Sequence, residues 1–179
     1  MKKYNTEIMR NVVLILLVVV LSSPMYSQCQ LEQHQVDEFT GERIIRTKTE
    51  RIWALPKEGA FEVTFVAIDS SILMLTQVPV PEVSHSRGHQ NSILLFEGSR
   101  LELPTVTSEV ADFERLSGIT FWKQSLNFVL SKDQLEYLTA NDITAARFYI
   151  SDVYREYHIN KDKNRRKFRQ LAYCLFNSM

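Results

Sequence analysis

The sequence predicts an α+β domain: mainly antiparallel β-sheet of about nine strands, curved or sandwich-like, with one short helix and a C-terminal helix packed on the sheet. Three observations predict it. Gly41, Gly59, Gly88, Gly98 and Gly118, with Pro56, Pro79, Pro81 and Pro104, fall between short β-branched and aromatic runs, the punctuation of strands joined by turns. Ala60 to Asp69 alternates with period two, Phe61, Val63, Phe65 and Ala67 against Glu62 and Thr64. After Asn160 the apolar residues change to helical spacing, Phe168, Leu171, Ala172 and Leu175.

The chain begins with Lys2, Lys3 and Arg10, an unbroken apolar run from Val12 to Leu21, and the breaker Ser22-Ser23-Pro24. Ten apolar residues make roughly 15 Å of helix, half of a bilayer core of about 30 Å. That order and length predict a secretory signal peptide over residues 1–27, cut after Ser27, rather than a membrane anchor. One domain is expected over 28–179, with no transmembrane segment after cleavage. Of the 21 basic and 21 acidic side chains the leader takes three and one, leaving 18 and 20. A slightly negative domain gives no reason to expect nucleic acid as a partner.

Cys29 and Cys174 both survive cleavage, and in an oxidising compartment an even count favours one structural disulfide between them. The competing reading, a lipoprotein anchored through Cys29, is disfavoured by the bulk of Gln28 just before it. Expected localisation is periplasmic or secreted.

The elements follow in order. Leu31 to Phe39 and Arg43 to Trp53 flank Thr40-Gly41-Glu42 as a first hairpin, the middle of the second strand polar enough for an edge or an open face. Ala60 to Asp69 reads as half-buried. Ser70-Ser71 turns the chain into Ile72 to Leu75, apolar on both faces and therefore central, and Pro79-Val80-Pro81 is expected to end that strand. Glu82 to Asn91 is the longest loop. Ser92 to Phe96 and Arg100 to Leu103 make a hairpin around Glu97-Gly98-Ser99, and Thr105 to Asp112 and Ile119 to Leu130 are extended. Ser131-Lys132-Asp133-Gln134 is a capping box opening a short helix, with Asn141 as a left-handed stop. Ile143 to Ile150 and Val153 to Ile159 pair across Ser151-Asp152. Lys161 to Asn177 is the last helix, capped by Asn160.

Val36-Asp37-Glu38-Phe39-Thr40-Gly41-Glu42 after the leader, and the ending Leu171-Ala172-Tyr173-Cys174-Leu175, resemble small exported proteins of unknown function from Bacteroidota-type bacteria. The resemblance implies an exported β-rich domain and carries over no catalytic residue.

Constellations with chemical potential are few. His85 and His89 stand four apart, but Gly88 and the upstream prolines place them on a loop with no third ligand. On a strand His34 and Asp37 point to opposite faces, and Glu38 shares a face with His34, as an exposed hairpin would have it. Lys161, Lys163, Arg165, Arg166, Lys167 and Arg169 form a basic run, a patch for an anionic polymer or lipid head group or, as the commoner case, a solvated helix face. Phe121, Trp122, Tyr149, Tyr154 and Tyr157 are candidates for a ligand groove, against the commoner reading as core or cross-strand pairs. No catalytic residue, metal site or cofactor is expected. The expected role is a non-enzymatic binding or interaction module, its partner an envelope protein; the alternative is a carrier holding a small apolar ligand between sheet and last helix. N-terminal sequencing of protein recovered from its native host should begin at or near Gln28, and retention of Val12 to Leu21 would contradict the leader.

Overall fold

A computed structural model of the chain describes residues 29–55, 59–80, 91–116, 119–150 and 153–179. The leader, most of the Glu82 to Asn91 loop with His85 and His89, and the Ser151-Asp152 connection lie outside the described residues. The elements are β1 (Leu31–Val36), β2 (Arg43–Thr47), β3 (Glu50–Leu55), β4 (Gly59–Ile68), β5 (Ser71–Val80), β6 (Ser92–Phe96), β7 (Ser99–Leu103), β8 (Thr105–Leu116), β9 (Ile119–Leu130), α1 (Lys132–Ala140), β10 (Ile143–Ile150), β11 (Val153–His158) and α2 (Asp162–Ser178). They form two antiparallel sheets, one ordered β1-β2-β4-β5-β9-β8 with β3 also on β4, the other β11-β10-β6-β7.

The core forms where the two sheets and α2 converge. Phe61, Val63, Phe65 and Ala67 of β4 point inward and are buried. Phe61 meets Phe148 of β10 and Tyr157 of β11, their ring centroids 5.0 and 5.7 Å away. Phe65 meets Phe168 of α2 edge-on at 5.6 Å. The short helix α1 opens on the expected capping box: Gln134 N–H donates to Ser131 Oγ at 3.1 Å, and Ser131 N–H to Gln134 Oε1 at 2.8 Å. Among the described residues no helix is long and apolar enough to cross a membrane.

Several expectations need correction. Arg43 to Trp53 is two strands, not one. β2 pairs with the end of β4 and β3 with its start, and between them Thr47 turns inward. There Thr47 Oγ1 accepts from Phe65 N–H at 2.9 Å and donates to Phe65 O at 3.3 Å, so a side chain stands in for the ladder. β4 is buried on both faces: Glu62, Thr64 and Val66 are also covered, because β4 sits between strands on both sides whose long side chains close over it. β5 runs on through Pro79 to Val80. Its pairing with β4 stops at Gln77, so the missing N–H of Pro79 interrupts no ladder there, while β9 continues alongside. The turn into β5 uses Asp69, at a φ of 50°, with Ser70. β1 ends at Val36, because Asp37 closes an Asx turn by accepting from Phe39 and Thr40 N–H at 2.8 Å each. Asn141 is extended rather than left-handed, and its amide Nδ2 donates to Tyr137 O at 2.8 Å. The N-cap of α2 is Lys161, one residue later than expected and without a side-chain cap.

The cystine is present as predicted. Cys29, just before β1, bonds Cys174 of α2 at a Cα separation of 5.2 Å, closing a loop of 145 residues. In the chain-entropy model a loop of that length is worth about 5 kcal/mol. We expect the double variant Cys29→Ser/Cys174→Ser to lose on the order of 3–5 kcal/mol in denaturant unfolding under non-reducing conditions; a loss below about 1 kcal/mol would contradict the staple.

Candidate functional site

α2 lies along the free edge of β3, and the basic run of its first half divides into two sets. Arg165 donates through Nε to Ile159 O at 2.7 Å, Lys167 pairs with Glu50 of β3 at 2.6 Å, and Arg169 pairs with Asp142 at 3.3 Å. These tie the helix to the strands beneath it. Lys163 and Arg166 have no carboxylate partner among the described residues, and neither does Lys48, in the break between β2 and β3. With Lys167 and Glu50 they line a cleft of about 440 Å³, floored by Leu171 and the Cys174 end of the disulfide. Four cations face one carboxylate in a chain whose formal net charge is zero. An anion entering the cleft meets unpaired positive charge from α2 on one wall and from Lys48 on the other.

A second cleft of about 340 Å³ continues along β3 from the first, the two sharing Lys167. Its lining also carries the cations Arg51 and Lys161, and adds Trp53 from β3, His158 at the end of β11, Asn160 just after it, and Asn164 from α2. Trp53 is half-buried and held edge-on by Tyr157, centroids 4.9 Å apart. A bulge between Arg51 and Trp53 shifts the register of β3 on β4 at this point.

A third cleft, about 230 Å³, lies on the outer face of the larger sheet around Glu62, Thr64, Gln77 and Asn127. Glu62 accepts from Arg51 Nε at 2.8 Å and from Lys123 Nζ at 3.2 Å, its side chain only 11% exposed. Burial pushes this carboxyl up, but the hydrogen bonds and charges of Arg51 and Lys123 outweigh burial and hold it below the ordinary glutamate value. Its two cations being engaged, this cleft is a structural ion triad rather than an open charge.

The structure separates the aromatic candidates. Tyr157 is in the core, touching Trp53, Phe61 and Phe148. Trp122 is half-buried against the core. Tyr149 and Tyr154 are directly opposite each other on β10 and β11, rings 6.0 Å apart, with the Arg147 guanidinium 4.7 Å from the Tyr154 ring centre. The Phe121 side chain lies outside the described residues. His34 Nε2 sits 3.1 Å from Arg43 Nη2, while Asp37 is spent on its turn. Among the described residues no cluster of three metal-ligating side chains occurs. Sequence reading missed Lys48, Glu50 and Trp53 as lining residues. The polar middle of Arg43 to Trp53 was their signal: a strand edge that carries charge and still lies beneath a helix needs partners across the gap.

The fold and its clefts define a disulfide-stapled two-sheet β protein with a charged trough between its last helix and a sheet edge. No family model, curated protein or solved structure matches the chain.

Glu62 sets a pH dependence. Because its folded pKa is depressed, its contribution to stability is present above the ordinary glutamate value, about 4.3, and is lost as pH falls through the lower folded value. Glu62→Gln should flatten the fall in unfolding free energy between about pH 5 and pH 3. An unchanged slope would show that the triad does not couple to folding.

Proposed function

We propose that the chain is an exported, non-enzymatic binding module of the periplasm or cell exterior, and that its ligand is an anion held in the cleft between α2 and the β2–β3 break. The observation that carries this reading is the charge imbalance: Lys48, Lys163 and Arg166 converge on one concave space with no carboxylate partner among the described residues, while the neighbouring Arg165, Lys167 and Arg169 are all engaged. Holding like charges together costs free energy, which a bound anion returns. Export is supported by the cystine, which persists in oxidising compartments. A sulfur bonded to Cys174 also has no valence left for a lipid, which favours a released protein over one anchored through Cys29.

The apolar-carrier reading is weaker. What fills the space between α2 and the sheet is Phe168 against Phe65, with Leu171, Ala172 and Leu175 buried beside it, and the cleft flanking the helix is charged. An envelope protein that presents an acidic segment remains compatible with the cleft.

Calorimetric titration with citrate, a compact polycarboxylate, tests the reading. Binding should weaken at least tenfold between about 0.02 M and about 0.3 M salt, as expected for exposed charges. Lys163→Ala/Arg166→Ala should remove most of it while leaving the melting temperature within a few degrees, since neither side chain has an ion-pair or hydrogen-bond partner among the described residues. Citrate that fails to bind at low salt, or binds the double variant equally well, would contradict the proposal.

A further inference from the structure

The cationic cleft does not end at Lys167; it opens into a space where Arg51 is already paired with Glu62 and an indole and amides join Lys161, and the two together constrain the ligand more than either alone. Both follow β3, from Lys48 to Ala54, beneath the first turns of α2. Seven residues of extended chain span roughly 20 Å, long enough for several linked sugars. Helical geometry explains the division. Lys163, Arg166 and Gln170 share one side of α2, Asn164 and Lys161 turn toward the other, and Lys167 lies between them, pinned by Glu50.

We propose, building on the anion-binding reading above, that the ligand is an acidic oligosaccharide laid along this trough, its charged sugar on Lys48, Lys163 and Arg166 and an adjoining neutral sugar on Trp53. A pyranose has an apolar C–H face and a rim of hydroxyls. Trp53 supplies a large apolar ring already oriented by Tyr157, and Asn160, Asn164 and His158 supply donors and acceptors around it. Fixing the indole before binding lowers the ordering cost on association. At the crossing point the Lys167–Glu50 pair is close to neutral, which suits an acidic sugar followed by an uncharged one. A polyphosphate, charged at every repeat, would meet Glu50 there. A nucleic acid also wants a broadly basic surface, and this chain has equal numbers of acidic and basic side chains.

The test is titration of the disulfide-intact protein with hyaluronan tetrasaccharide, sialyllactose and a glucuronoxylan-derived tetrasaccharide. Each joins an acidic sugar to a neutral one. Citrate and a single-stranded thymidine oligomer are the reference ligands. We expect at least one oligosaccharide to bind tenfold or more tightly than citrate and to alter tryptophan emission. Trp53→Ala should cost that oligosaccharide at least tenfold and leave citrate affinity unchanged; Lys163→Ala/Arg166→Ala should weaken both. Because Trp53 also packs on Tyr157, Asn164→Ala provides a second variant with the same selective loss and no core contact to disturb. If citrate binds and no oligosaccharide exceeds it, or if Asn164→Ala and Trp53→Ala weaken citrate as much as sugar, the glycan assignment falls and the anion cleft stands. Thymidine oligomer binding as tightly as the best sugar would also overturn the assignment. Failure of citrate and all three sugars alike would remove the cationic-cleft reading itself.

Discussion

A covalent bond between the start of the first strand and the last helix is the constraint on which the rest depends. Cys29 and Cys174 are 145 residues apart, and their bond closes almost the whole described chain into one loop. The other ties on α2 are individually smaller. Phe168 packs edge-on against Phe65, and Lys167 reaches Glu50. Arg43 donates to the carbonyls of Ser178 and Met179 at 2.7 and 3.0 Å, placing a cation where the end of a helix is partially negative. A partly exposed ion pair contributes on the order of 0–1 kcal/mol, against several for the cystine. The disulfide is therefore the largest single tie on the helix, while the buried Phe168, Leu171, Ala172 and Leu175 and the polar contacts fix how it sits on the sheet.

From that position the charge pattern of the helix acquires meaning. A basic first half opposes the helix macrodipole, so on an isolated helix it would be mildly destabilising. In the folded chain Arg165, Lys167 and Arg169 reach down to Ile159 O, Glu50 and Asp142, which accounts for three of the charges as ties. Of the rest, Lys163 and Arg166 face a cleft whose opposite wall is the break between β2 and β3, and Lys161 lines the neighbouring one. At that break Thr47 turns inward onto the backbone of Phe65 and Thr49 bonds the Thr64 hydroxyl, leaving Lys48 to stand out from the sheet. A single hydroxyl in the strand thus helps to shape the cleft, and the disulfide supplies its floor.

Much of the fold was legible in the sequence where a local rule acts alone. The α1 capping box, the β6–β7 hairpin about Gly98, the β10–β11 pair, the apolar stripe of α2 and the cystine all follow from spacing, turn chemistry or cysteine parity. What escaped depended on neighbours. Pro79 stays in its strand because β4 has already stopped pairing with β5, a fact of register invisible in the residues around it. Glu62 and Thr64 look like a solvent face and are covered, because β3, β9 and the β2–β3 break lend them Arg51, Lys123 and Thr49. The site was legible only in halves. The basic run was visible as charge, and Trp53 as one aromatic residue in a polar strand, but nothing local indicated that α2 would be laid against that strand.

The most direct measurement is amide hydrogen exchange followed along α2 in the oxidised and the reduced protein. With the disulfide intact, amides from Phe168 to Leu175 should exchange only through opening nearly as costly as global unfolding. After reduction they should exchange through a separate, much cheaper opening while β4 and β5 stay protected. Equal protection of α2 in the two states would mean that packing alone holds the helix, and would contradict the account.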